Sequence, residues 1–293
     1  MTAASGGPTV VEGRVGLRGF ASFYREALGL FRGSPHLRGS FAFWALLGLV
    51  LTEALGIGVA QMDSQRWVVI ASLLCFAWWL VVSAMLAGGA ALLIPPDGGP
   101  RLDYYGVPNG LTALRAYLVV PLMITASVST PGRTGFVIWC AVGGSAGLLD
   151  GVDGIVARRV GPLTELGRAL DPAMDAVFFS AAAYAAWRLG IVPLWLMVFI
   201  YVRYLGPLLA TPIVFLARRR PELVHTAWGR RNTIYTGAVV FTLMWVKIAG
   251  GPVDAVALGM GIPLLGITAV LHFASLAQRT YHAPVVRERR RPR

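Results

Sequence analysis

The feature that most limits what this chain can fold into is a recurrence: long stretches with almost no charge, separated by short turns rich in Arg, Gly or Pro. Such runs occupy residues 41–60, 67–94, 109–128, 135–157, 169–188, 190–216, 232–249 and 254–277. About 20 residues of α-helix cross the hydrocarbon of a bilayer. The backbone finds no water there, so each run must satisfy its own N–H and C=O groups. The pattern predicts an all-α polytopic membrane protein with eight spans. Composition agrees: of 293 residues, 56% are hydrophobic and 14% charged, where a soluble domain carries about 25% charged residues.

The net charge of +12 would point to nucleic acid in a soluble chain, but here it follows the topology. With the N-terminus inside, 20 of the 26 basic residues fall in inside segments. The outside turns hold four, Arg66, Arg133, Arg188 and Lys247, while Arg115 and Arg203 lie within spans. That bias predicts a plasma (inner) membrane protein with both termini on the cytoplasmic side. The basic tail at 287–293 then reads as a contact with lipid headgroups rather than nucleic acid. The first apolar run starts near Phe41, after a basic segment, so no signal peptide is expected. Cys75 and Cys140 both sit in apolar runs and predict neither a disulfide framework nor a zinc site. His36, His225, His272 and His282 are scattered, and only His225 lies near an Arg-rich loop.

Four segments follow from the breaks. Residues 1–40 hold a helical stripe of Phe20, Phe23, Tyr24, Ala27, Leu28 and Phe31, which ends at Ser34-Pro35. This helix either lies on an anionic leaflet or packs on the rest of the protein. Residues 41–100 form a hairpin of two spans and a Pro/Gly linker, with Glu53 the one acid in its first span. Residues 101–280 hold six spans, and 281–293 are a basic tail. Gly143, Gly147 and Gly151 recur at four-residue steps. They predict close helix packing, within the bundle or at the seam of a homodimer.

The window Asp150–Asp175 breaks the apolar pattern with two aspartate pairs, Asp150/Asp153 and Asp171/Asp175. On one helix, Asp150, Asp153, Gly154 and Ala157 share a face, with Arg158 four beyond Gly154. On the next, Gly167, Asp171 and Asp175 fall at four-residue steps, and Gly161-Pro162 supplies the turn between them. Four ionised carboxylates would carry about −4, which repulsion and desolvation disfavour without cations. Two divalent ions would cancel that charge, and all-oxygen ligation favours Mg²⁺ or Mn²⁺. Paired metals suit phosphoryl transfer, Arg158 suits phosphate oxygens, and Gly154 with Ala157 leaves room for a planar base.

The eight positions Asp150, Asp153, Gly154, Ala157, Arg158, Gly167, Asp171 and Asp175 match, without departure, the signature of the CDP-alcohol phosphotransferase family. The segment 107–115, VPNGLTALR, also resembles the opening of that family's first core helix. The resemblance covers about residues 103–280 and implies a six-helix core, with the hairpin at 41–94 outside it. It implies that Asp150, Asp153 and Asp171 hold the metals, with Asp175 shared between a metal and the acceptor hydroxyl as general base. Asp153, Gly154, Ala157, Arg158 and Gly167, together with Asn109 and Thr112, would serve the CDP moiety. The substrates implied are CDP-diacylglycerol, reached from the membrane lipids, and a small alcohol, with CMP leaving.

An Arg cluster suits an anionic acceptor, because guanidinium binds phosphate through two parallel bonds. Arg115, Arg203, Arg230 and Arg231 are the candidates. Arg115 and Arg203 sit within spans, where pairing with an acid is the alternative to substrate binding. Resemblance to a glycerol-phosphate branch competes with inositol-phosphate and amino-alcohol branches. In a different class, a divalent-cation transporter would also need intramembrane acids, but spread along a pathway rather than gathered at two helix ends.

Overall fold

The computed structural model describes residues 17–62, 65–96, 99–130, 132–161, 163–216 and 227–282. Within these, the side chains of 17–22, 147–158, 160, 211–216 and 279–282 lie outside the described set. Among the described residues there are helices and no strands, in the order α1 (Leu17–Gly33), α2 (Pro35–Gln61), α3 (Arg66–Gly89), α4 (Val107–Ser129), α5 (Arg133–Val160), α6 (Glu165–Arg188), α7 (Leu194–Leu216), α8 (Ala227–Ile248), α9 (Val253–Gly261) and α10 (Ile267–His282). The chain is an all-α polytopic membrane protein. The helices α2, α3 and α4, and the continuous rod 253–278, are apolar and long enough to cross a bilayer, and Leu194–Ala210 is a shorter apolar helix.

Local chemistry sets the helix ends. The Ser34 hydroxyl accepts from Leu37 N at 3.1 Å and Pro35 takes the first turn, so α2 begins six residues before the uncharged run does. Gly190 at φ +69° and Pro193 hold the turn before α7, which starts at Leu194 rather than at 190. Pro263 lies inside a π turn, Ile262–Gly266, that joins α9 to α10. Such a turn shifts the phase of the helix and re-aims its carbonyls.

The centre of the bundle is α4: 72% of its most apolar window is buried, against 28% in α2 and 17% in α3. It packs against α2, α3, α5 and α6. The hairpin α2–α3 grips one side through polar contacts made in an apolar setting. Trp44 and Trp78 donate their indole N–H groups to the carbonyls of Tyr105 and Ala116, Ser83 bonds Tyr117 at 2.9 Å, and Trp79 donates to Ala45 O within the hairpin. Gly48 lies flat under the Tyr117 ring and Gly110 under the Trp44 indole, where any Cβ would collide. The outer faces of the hairpin carry Phe43, Leu46, Val50, Val69, Leu73 and Phe76, exposed as lipid-facing residues are.

Helix α1 packs on the rest of the protein along one face. Ala27 is 2% exposed, Tyr24 abuts Gly88, and Glu26 pairs with Arg101 at 2.8 Å. Arg25, Leu28 and Arg32 remain on its open face.

Candidate functional site

The helix ends that carry chemistry gather at one end of the bundle. Helix α5 runs unbroken through Asp150, Asp153, Gly154, Ala157 and Arg158, whose side chains lie outside the described residues. It stops at Val160, and Gly161 lies beside Pro108 at the start of α4, where an added Cβ would come to 3.4 Å of the proline ring. Thr164 then caps α6, accepting from Gly167 N at 3.2 Å. The Thr164 hydroxyl also bonds Asn109 Oδ1 of α4 at 3.0 Å, and both residues are buried.

Gly167 sits close to its neighbours on α4 and at the α6 cap. A Cβ there would lie 3.3 Å from Asn109 Oδ1 and 3.8 Å from Thr164 Oγ1. The three residues thus form a tight joint between α4 and α6. Asp171 and Asp175 follow on the face of Gly167, the first exposed and the second half-buried. Thr112, one turn along α4 from Asn109, donates back to Pro108 O at 3.2 Å and is buried.

Asp175 also borders a small cavity of about 70 Å³ between α6, α7, α8 and α10. Its wall includes Pro172 and Asp175 from α6, Arg203 and Tyr204 from α7, Thr233 from α8 and His272 from α10. Space of that size takes a few water-sized groups. Arg203 is only 7% exposed and is held firmly: Nε donates to Asn232 Oδ1 at 3.0 Å, and a terminal nitrogen donates to Gly229 O at 3.1 Å. Its guanidinium lies 4.9 Å from the centre of the Tyr204 ring. Both of these bonds go to neutral acceptors.

Asn232, fully buried, braces the guanidinium from behind. Its amide nitrogen donates to Leu265 O at 3.1 Å and to Thr268 Oγ1 at 2.7 Å. Leu265 belongs to the π turn, so the irregularity in the last span supplies a carbonyl for this brace.

The other sequence candidates fall apart from this cavity. Arg115 is 8% exposed and lines a separate narrow cleft with Trp78, Met174 and Phe178. Arg230 and Arg231 are exposed at the start of α8, with Arg231 stacked 4.6 Å over the Trp228 ring. His225 lies outside the described residues. Tyr204, Asn232, Thr164 and His272 went unremarked or unweighted in the sequence. For His272 the available signal was its place as the sole ionisable residue within the apolar run 255–278.

Among the described residues, no three His, Cys, Asp or Glu side chains gather as a metal site. The side chains of the signature's first aspartate pair lie outside that set. Asp171 and Asp175 offer oxygen alone, on a helix face whose leading position, Gly167, has no side chain to crowd it. That fits a hard divalent ion.

Comparison with known proteins supplies the remaining context. The family model described as CDP-alcohol phosphatidyltransferase matches residues 105–275. Over 144 residues the chain is 30% identical to a probable phosphatidylglycerophosphate synthase of Mycobacterium tuberculosis, in strains CDC 1551 / Oshkosh and ATCC 25618 / H37Rv alike. That alignment covers 48% of this chain and 66% of each relative. No solved structure matches the chain. The hairpin α2–α3 and the linker after it precede the matched region.

Proposed function

Because the chain belongs to the CDP-alcohol phosphatidyltransferase family, we propose that it transfers the phosphatidyl group of CDP-diacylglycerol to a small anionic alcohol of the glycerol-phosphate kind, releasing CMP. The observation that carries the choice of acceptor is Arg203: a buried guanidinium, bonded to neutral groups, beside Asp175 in one cavity. A cation held in that way has charge left to bind an anion, and the acceptor's phosphate is the anion the reaction brings.

In this reading Asp175 accepts the proton of the acceptor hydroxyl as that oxygen attacks the phosphorus bearing the diacylglycerol. The phosphorus–oxygen bond to CMP breaks, and CMP carries away the electron pair. Asp175 need only take the proton as the new bond forms, so a weak base suffices. Arg203 orients the acceptor through its phosphate, and His272 borders the same cavity. Asn109, Thr112, Gly154, Ala157, Arg158 and Gly167 serve the nucleotide. Asp150, Asp153, Asp171 and Asp175 would hold Mg²⁺ or Mn²⁺, which when bound supplies positive charge to the phosphate oxygens. With the site on the cytoplasmic side of the inner membrane, CDP-diacylglycerol enters sideways from the inner leaflet.

The test is CMP release by the purified protein from CDP-diacylglycerol with Mg²⁺ or Mn²⁺, against glycerol 3-phosphate, inositol phosphate, inositol, serine and no acceptor. Glycerol 3-phosphate is expected to give the highest kcat/KM, and chelation of the metal to stop the reaction until it is restored. Preference for an uncharged alcohol would overturn the acceptor assignment. No release with any acceptor would overturn the reaction.

A further inference from the structure

We infer that Thr164 is a positioning residue that sets α4 and α6 in register on the nucleotide side of the site, and that the N-terminal hairpin, outside the family core, buttresses it. The inference rests on the proposed reading of this end as a CDP-alcohol site.

A hydroxyl has one proton to give. Thr164 Oγ1 accepts from Gly167 N at 3.2 Å, so its proton is left for Asn109 Oδ1 at 3.0 Å. In that arrangement Asn109 has its oxygen toward Thr164 and keeps its NH₂ group as a donor. Thr164 therefore decides both where α6 begins and which atom Asn109 presents. Thr164 is 2% exposed and Asn109 4%, so neither bond is exchanged with water at little cost.

The first turn of a helix leaves its N–H groups without intrahelical partners. In α6, Gly167 N is satisfied by Thr164, and Glu165 N donates to Ile94 O at 2.9 Å. Ile94 lies in the short segment by which the hairpin leads into α4, and Leu93 O beside it accepts from Leu102 N at 2.7 Å. Leu166, 1% exposed, inserts its tip against Gly89 at the end of α3, where a Cβ would collide with it. Residues 89 to 94 all precede the matched core at 105–275. An element the family core does not include thus contacts the first turn of the helix carrying Asp171 and Asp175.

The test uses the full chain in lipid nanodiscs. In Thr164→Val the cap and the bond to Asn109 both go, and amide exchange over 164–171 is expected to rise about tenfold. The Michaelis constant for CDP-diacylglycerol is expected to rise by about the same factor while that for the acceptor stays within about twofold. Thr164→Ser, which keeps the hydroxyl, restores both readings. Gly89→Val, which pushes on Leu166 from the hairpin, is expected to reproduce the signature of Thr164→Val; should it fail to fold, the two Thr164 variants decide for positioning. Unchanged exchange in Thr164→Val, a shift in the acceptor constant instead, or failure of the Ser variant to restore would overturn the inference. Absence of CMP release by the unaltered protein would count against the proposed function alone, because the exchange result stands apart from turnover.

Discussion

Replacing Arg203 by Lys isolates geometry from charge. A guanidinium has five N–H donors. Among the described residues two are engaged, on Asn232 Oδ1 and Gly229 O, and the proposed reading assigns the other three to the acceptor's phosphate. An ammonium has three donors in all, so satisfying the same two partners leaves one. At least one charge-assisted hydrogen bond to the acceptor is then lost, at about 1.5–3 kcal/mol, which is about 10- to 150-fold in affinity. The shorter reach of Lys can also strand Asn232, which is fully buried, and part of the loss would then appear as lower thermal stability. The assay is steady-state CMP release with the acceptor and CDP-diacylglycerol varied in turn. The acceptor KM should rise within that range while the CDP-diacylglycerol KM moves little. An unchanged acceptor KM, or a loss confined to CDP-diacylglycerol, would refute the assignment of Arg203 to the acceptor.

Two further outcomes are expected. Asp175→Asn should abolish turnover while CMP binding by calorimetry largely survives, because the amide keeps the shape and cannot take a proton; near-normal turnover would remove Asp175 from its role. Burial, with Tyr117 nearby, pushes the Tyr105 phenol above its ordinary value, and its hydroxyl donates to Leu86 O at 2.6 Å. That bond's contribution is fully present below a pH of about 10, where an unfolded tyrosine ionises, and is lost as pH rises from there toward the raised folded value. Tyr105→Phe should therefore cost about 1 kcal/mol near neutral pH and flatten the alkaline fall of the melting temperature; identical alkaline profiles would disprove the coupling.

Regular spacing and its breaks are legible in a sequence, and most of the fold was of that kind. The run at 109–128 is helix α4 at Val107–Ser129, and 254–277 lies within the rod 253–278. The discrepancies arose where capping rather than hydrophobicity sets an end. Ser34 opens α2 before the apolar run, and Thr164 opens α6 at Glu165 rather than at 169. The signature positions 167, 171 and 175 could be put on one helix face by counting. The close approach at 167 could not, because its nearest neighbour, Asn109, lies on a helix 58 positions earlier. Arg203 was legible as an anomaly in a span, but its partner was not. Asn232 begins another span, and a carbonyl of the π turn at 262–266 together with the Thr268 hydroxyl completes the brace.

These long-range contacts divide the site by the kind of support each half receives. The α4–α6 joint is built from helix caps and small residues, Thr164, Asn109 and Gly167, so its tolerance is measured in single methyl groups. The Arg203 side is built from one charge and its buried amide, so its tolerance is measured in charge and donor count. Asp175 belongs to both, on the helix that Thr164 caps and in the wall of the cavity that Arg203 lines. A disturbance at the hairpin should therefore reach Asp175 through the start of α6, and a disturbance at the π turn through Asn232 and Arg203. In the proposed reading each route enters from the side of a different substrate, so substrate-specific Michaelis constants tell the two apart.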